Sequence, residues 1–276
     1  MFNIRLLYFL ISKLILYLIF FIFGVSLGSF ANVCIFRIPL DKSIIKPKSL
    51  CPNCKKPLIW YDNIPILSFI ILKGRCRFCS QKISCQYPIV ELISGVVLVL
   101  LVPRYANEPL LLITFIVFFV LLLIISGIDY FHQIIPFSLS IPLIIVGLST
   151  SLFNSLLGDT ISIRIINSSI SMVFGWTLLF AIGWVTKQII RKEALGGGDP
   201  ILLAGIGTFI GWKGVLITLF FSSLYGLAIM LFVILIKHRD KNIPFAFGPF
   251  LSAGAVSYLL FSKMLENIYF IQMFFN

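Results

Sequence analysis

Charge is what this sequence has least of. Asp, Glu, Lys and Arg together make up 12% of its 276 residues, about half the roughly 25% typical of soluble domains. Too few polar groups are present to coat a soluble globule of this length, so a water-soluble architecture is excluded. Histidine is nearly absent: only His132 and His238 occur. No serine sits in a nucleophile elbow, so a Ser–His–Asp arrangement has no candidate members. A glycine-rich strand–helix unit of the dinucleotide-binding type is also lacking. No basic helix or aromatic platform stands outside the apolar segments, so nucleic-acid binding is not expected despite the net charge of +12. Only ten acidic residues remain to carry acid–base chemistry.

Apolar residues, by contrast, fill 59% of the chain. They fall into runs that read as helices, because a backbone in lipid must satisfy its own hydrogen bonds. The runs are Leu6–Gly28, Ile89–Val102, Leu110–Ile128, Phe137–Leu157, Ile165–Thr186, Ile201–Ile210, Val215–Ile236 and Phe250–Met264. An all-α polytopic membrane protein of about eight transmembrane helices is therefore expected. The second and sixth runs are short, and either extend into their neighbours or are partly re-entrant. The first run is too long for a signal h-region and has no small-x-small site after it, so it reads as a retained span.

The positive charge marks the orientation. With the loop Ala31–Pro88 placed inside, sixteen Lys and Arg lie inside, among them Lys187, Arg191, Lys192, Lys237, Arg239 and Lys241. Five lie outside: Arg5, Arg104, Arg164, Lys213 and Lys263. The positive-inside rule then places the N-terminus outside. The organisation expected is a first transmembrane helix (1–30), a small cytoplasmic loop (31–88) and a transmembrane portion (89–276).

That loop is too small to bury much core and needs a staple. It carries Cys51-Pro52-Asn53-Cys54 and Cys76-Arg77-Phe78-Cys79. Two close thiolate pairs can complete a tetrahedral shell around one zinc ion, with no open position for catalysis. Disulfides or unligated thiols are the other readings, and disulfides are disfavoured in a reducing compartment. Cys34 and Cys85 fall outside the pattern and are taken as bystanders.

Two acids stand at ends of apolar runs: Asp129, in Ser126-Gly127-Ile128-Asp129-Tyr130, and Asp199, after Gly196-Gly197-Gly198. Alone, either could be bland, and Asp199 could simply cap a helix starting at Pro200. Together they lie on the same, cytoplasmic side by the alternation of spans. Three glycines before Asp199 permit unusual backbone angles and close approach of a substrate strand. Ionisable groups at membrane depth are functional candidates. A pair of carboxyls can supply both the base that activates water and the acid that protonates the leaving group. His132 is expected to be an interfacial polar residue.

These motifs, in this order, resemble those of the bacterial type IV prepilin peptidases, also called leader peptidase/N-methyltransferases. The resemblance is carried by Gly28-Ser29-Phe30-Ala31-Asn32-Val33-Cys34-Ile35-Phe36-Arg37-Ile38-Pro39, the two Cys-x-x-Cys knuckles, and Ile83-Ser84-Cys85-Gln86-Tyr87-Pro88-Ile89-Val90-Glu91-Leu92. It continues through Asp129 with Ile135-Pro136, Gly196-Gly197-Gly198-Asp199 with Leu202-Leu203-Ala204, and Pro244-Phe245-Ala246-Phe247-Gly248-Pro249-Phe250. The resemblance implies an inner-membrane aspartic peptidase of the Gly-x-Gly-Asp type. Its members remove the short basic leader of prepilins and pseudopilins at the cytoplasmic face, serving type IV pili or type II secretion. Many then methylate the new N-terminus with S-adenosylmethionine as donor. The family's catalytic pair maps onto Asp129 and Asp199, and its zinc ligands onto Cys51, Cys54, Cys76 and Cys79. Because the knuckles belong to the bifunctional members, methylation is expected. The methyl donor is expected to sit among the cytoplasmic loops, near Glu91. The chain departs from the usual Gly-x-Gly-Asp-x-Lys: Pro200 and Ile201 follow the aspartate. Two other readings compete. An ion-coupled transporter would also use intramembrane aspartates, but the knuckles do not explain transport and no inverted repeat is visible. A presenilin-type peptidase would carry Pro-Ala-Leu where this chain has Pro244-Phe245-Ala246.

Overall fold

The computed structural model describes residues 4–191, 195–237 and 246–266. Lys192, His238, Arg239, Lys241, Pro244 and Phe245, all of which enter the sequence argument, lie outside the described residues. The described chain is helical, and its only β-pairing is two isolated bridges, Leu50–Pro57 and Arg75–Lys82. The main helices are α1 (Ile4–Arg37), α2 (Leu67–Ile71), α3 (Gln86–Tyr105), α4 (Pro109–His132), α5 (Phe137–Thr150), α6 (Ile161–Ile190), α7 (Asp199–Lys237) and α8 (Gly248–Glu266). Five of them (α1, α3, α4, α6 and α7) are long and apolar enough to cross a membrane, while α5 and α8 are shorter apolar helices. Their many exposed Leu, Ile and Phe side chains suit lipid as the surrounding solvent.

Two compact units divide the chain, Met1–Glu108 and Pro109–Asn276. In the first, α1 packs along α3. The contact is close because glycine lines it. A Cβ on Gly24 would stand 2.7 Å from the Ser94 carbonyl oxygen, and one on Gly28 would stand 2.7 Å from the Glu91 Cα. This is the small-residue packing that lets helices associate without a hydrophobic driving force. The run that began at Ile89 in sequence starts earlier, at Gln86, with Pro88 in its first turn where a missing N–H costs nothing. Asn32 Nδ2 donates to the Tyr87 carbonyl at 3.2 Å and ties the two ends of the intervening loop together.

In the second unit, α7 packs against α6, α5 and α8, and α8 packs against α4. As one straight rod, 39 residues would extend about 58 Å at 1.5 Å per residue, nearly twice a hydrocarbon core. The helix breaks at Gly211, whose φ of 74° is open to glycine. The chain folds back there: a Cβ on Gly207 would lie 3.2 Å from Val215 Cγ2. The two apolar runs Ile201–Ile210 and Val215–Ile236 are the two arms. Breaking a helix inside an apolar protein strands carbonyls, and side chains meet them here. Asn154 Nδ2 donates to the Phe209 carbonyl at 2.6 Å, and Ser168 Oγ donates to the Thr208 carbonyl at 2.9 Å. The expected Phe137–Leu157 helix is correspondingly shorter. It ends at Thr150 and passes into two 3-10 turns, Ser151–Phe153 and Ser155–Leu157. The residue between them is Asn154, which the break at Gly211 requires at that point.

Candidate active site and metal cluster

The second unit gathers its two sequence-predicted acids at one end. Asp129 lies near the C-terminus of α4, in the last turn before Gln133 closes the helix at φ 55°. Asp199 opens α7. Both are buried, at 5% exposure each, and the two carboxyls lie within electrostatic range of one another. Each accepts a glycine N–H. Asp129 Oδ2 receives Gly248 N–H at 2.9 Å, and Asp199 Oδ2 receives Gly196 N–H at 3.0 Å. Asp199 is therefore not spent on capping α7. Gly198 stands at the cap position, accepting from Ile201 and Leu202 through its carbonyl, while the Asp199 carboxylate turns back into the glycine loop.

The three glycines act through space more than through unusual angles: none of Gly196, Gly197 and Gly198 is at positive φ. A Cβ on Gly198 would stand 2.7 Å from the Ile135 Cβ, so only glycine lets the loop reach the segment just after Asp129. A Cβ on Gly196 would come within 3.2 Å of Asp199 Oδ2, while Gly197 has open space around it. Gly248 has a role that its sequence motif alone does not show. It is the first residue of α8, and a Cβ there would meet Asp129 Oδ2 at 2.6 Å. Its N–H and the N-terminus of α8 thus point at the Asp129 carboxyl, a placement that favours negative charge. Pro249 follows, where its lack of an N–H is harmless.

The first unit holds the cysteines. The Sγ atoms of Cys51, Cys54, Cys76 and Cys79 all lie within 4.8 Å of each other, and none of the six cysteines is in a disulfide. Each knuckle is the same small turn. Cys51 N–H donates to the Lys56 carbonyl and Lys55 N–H to the Cys51 carbonyl. Cys76 N–H donates to Gln81 and Ser80 N–H to Cys76 in the same way. Lys55 and Ser80 take matching left-handed angles, φ 56° and 57°. Tetrahedral Zn–S bonds of about 2.3 Å require sulfurs about 3.8 Å apart; Cys51 and Cys79 Sγ are 3.8 Å apart. The donor set fits a structural zinc. The N–H of Gln81, aided by the Asn53 amide, lowers the Cys79 thiol to about 6, and the Cys54 N–H lowers Cys51. Cys54 is pushed up to about 11: the Lys56 N–H favours its thiolate, but desolvation and the neighbouring sulfurs outweigh it. Cys34 is buried and Cys85 exposed, both apart from the cluster.

Two supports of this loop have no sequence signature. Arg77, inside the second knuckle, makes a bidentate pair with buried Asp62, its closest contact 2.7 Å, and lies over the Tyr61 ring. Glu91 reaches from α3 into the loop. Its Oε2 accepts the Ile66 N–H at 2.8 Å. Ile66 sits at φ 61°, a strained angle for a β-branched residue, and Glu91 holds the turn there.

An all-helical membrane protein with a buried pair of carboxyls and a four-sulfur cluster is the class these features define. The comparisons narrow it. The bacterial peptidase A24 N-terminal domain matches residues 22–105, and the type IV leader peptidase family matches residues 116–231. A prepilin leader peptidase/N-methyltransferase of Aeromonas hydrophila is 32% identical over 277 residues, covering 90% of this chain and 92% of that protein. One of Klebsiella pneumoniae is 39% identical over 210 residues, covering 74% and 89%. One of Myxococcus xanthus is 34% identical over 219 residues; the match takes in 79% of this chain but 63% of that longer protein. No solved structure matches. The chain belongs to the prepilin leader peptidase/N-methyltransferase family.

Proposed function

We propose that this chain removes the leader peptide of type IV prepilins or pseudopilins and methylates the N-terminus so exposed, as a multi-pass protein of the inner membrane. The observation that carries the reading is the pairing of Asp129 and Asp199 at one end of the second unit. Each is buried and each accepts an N–H from a glycine; a Cβ on Gly248 would displace the Asp129 carboxyl, and one on Gly196 would crowd that of Asp199. In this reading one carboxylate takes a proton from water, and the resulting hydroxide adds to the scissile carbonyl. The other, protonated, carboxyl donates to the carbonyl oxygen. Collapse of the tetrahedral species breaks the C–N bond; the amine leaves with a proton returned by the first residue, and the second takes its proton back from a hydroxyl of the same species. The Gly248 and Gly196 N–H groups hold the two carboxyls in place for those transfers. Gly197, with open space around it, is the point at which a substrate backbone passes.

The methyl donor in this reading is S-adenosylmethionine, consumed as a co-substrate when the freed amine attacks its methyl group. Zinc at Cys51, Cys54, Cys76 and Cys79 is structural. Four sulfurs leave no open position, and the ion's contribution is to fold the loop Ala31–Pro88. In this reading the chain crosses eight times, counting the two arms of α7 separately, and the sixteen-to-five charge bias supports an N-terminus outside with the loop, Asp129 and Asp199 at the cytoplasmic face. The test is incubation of the purified protein with a prepilin and S-adenosylmethionine in detergent, followed by the mass of the product. Loss of the leader and a gain of one methyl group is expected. An uncut substrate overturns the reading.

A further inference from the structure

We propose that the loop between α1 and α3 does not stand free in water but lies against the bilayer, with Trp60, Leu67, Ile70 and Ile71 in the lipid interface and its lysines on anionic headgroups. The proposal rests on the membrane reading alone and is independent of leader cleavage.

The loop has an inside and an outside of opposite character. Inside are Cys51, Cys76 and Asp62, all buried, knit by the knuckle turns and the Arg77–Asp62 pair. Outside are several large apolar side chains. Trp60 is 76% exposed, Leu67 56%, Ile70 63% and Ile71 72%. The last three are at i, i+3 and i+4 of α2 and share one face of it. Another side chain of the same helix, Phe69, packs on Gly74 within the loop. Contiguous apolar surface of this kind marks an interaction site.

Three observations choose lipid as the occupant. Both ends of the loop are fixed at the bilayer, where α1 ends at Arg37 and α3 begins at Gln86, and Asn32 ties those ends together. Ile66, the residue just before α2, is held by Glu91 of α3, so the apolar face sits beside a helix already in lipid. The charge is one-sided: ten Lys and Arg between Arg37 and Lys82 stand against Asp41 and Asp62 alone, and Asp62 is already paired with Arg77. Such a segment is drawn to an anionic leaflet. Finally, α2 is five residues long, far too short to cross. A short apolar face beside Trp60 and Tyr61, with Lys73 and Arg75 just beyond it, lies in the interface plane.

The experiment uses the full-length protein in nanodiscs of phosphatidylcholine, with and without phosphatidylglycerol. The Trp60 signal is the emission of the parent minus that of Trp60→Phe. With phosphatidylglycerol present, this signal should be blue-shifted and quenched by brominated lipid. Its quenching by aqueous acrylamide should be at least threefold weaker than in detergent. Replacing the apolar face, as Ile70→Ser with Ile71→Ser, should restore acrylamide access. Trp60 open to acrylamide in anionic bilayers overturns the proposal. So does shielding that arises only on adding a prepilin, which would assign the face to a protein partner. Equal shielding in phosphatidylcholine alone overturns the role given to anionic headgroups.

Discussion

The two compact units solve one problem in opposite ways. Each must hold reactive polar atoms in a chain that is mostly apolar. The first unit does it locally: two near-identical turns, each a few residues long, bring four sulfurs together, with a salt bridge and a single carboxylate as braces. The second unit does it at long range. Asp129 and Asp199 come from different helices, and the N–H that holds Asp129 comes from a third, α8. The lesson is that a four-sulfur site can be built in a small loop, because a metal bound there would concentrate its binding energy in a few bonds. A carboxyl pair needs the accumulated packing of long helices to keep two acids together.

The comparison can be broken most sharply at the acids. Asp129→Asn and Asp199→Asn should each lower cleavage by about 10²- to 10⁴-fold, the usual worth of a general acid or base. Membrane insertion and methylation of a pre-cleaved pilin should survive. A gel-shift assay of the purified variants decides, and near-parental cleavage by either one removes that residue from the pair. Next in size is the cluster. The parent should carry about one zinc per chain by elemental analysis, with sulfur distances near ~2.3 Å. Cys51→Ser or Cys79→Ser should lose the metal and disorder the loop, and methylation should fall further than cleavage when both are read from one reaction. Loss of cleavage with normal methylation of a pre-cleaved pilin would reverse the assignment of the loop.

Gly248→Ala tests whether α8 matters to the acid it faces. The added methyl would press on Asp129 Oδ2 and displace a charge-assisted hydrogen bond worth about 1.5–3 kcal/mol. Cleavage should fall by about 10- to 150-fold at that conversion, with metal content unchanged. Equal activity of parent and variant would show that the contact does not position Asp129. The smallest effect is expected at the break in α7. Asn154→Ala leaves the Phe209 carbonyl without its donor and should destabilise the protein by about 1–3 kcal/mol, seen as a lower unfolding midpoint in detergent. Cleavage measured well below that midpoint should change little.

Much of this molecule is legible in its residues alone. Apolar run lengths announce helices in lipid, because no other backbone arrangement satisfies itself there. The Cys-x-x-Cys pairs announce a four-sulfur cluster, because two knuckle turns are local structures. The Gly-Gly-Gly-Asp segment marks one acid, and its place on the charge map pairs it with the other. What the helices do with one another is not written locally. Nothing in the stretch Phe247-Gly248-Pro249 says that its N–H will meet Asp129, since a backbone donor has no side chain by which to recognise it. Nothing around Asn154 says that it must supply a carbonyl freed at Gly211, or around Glu91 that it must hold Ile66. Composition and spacing determined the solvent, the helices and the reactive groups. Only the tertiary structure decided that Gly248 steadies Asp129, because that contact joins residues 119 positions apart in the chain.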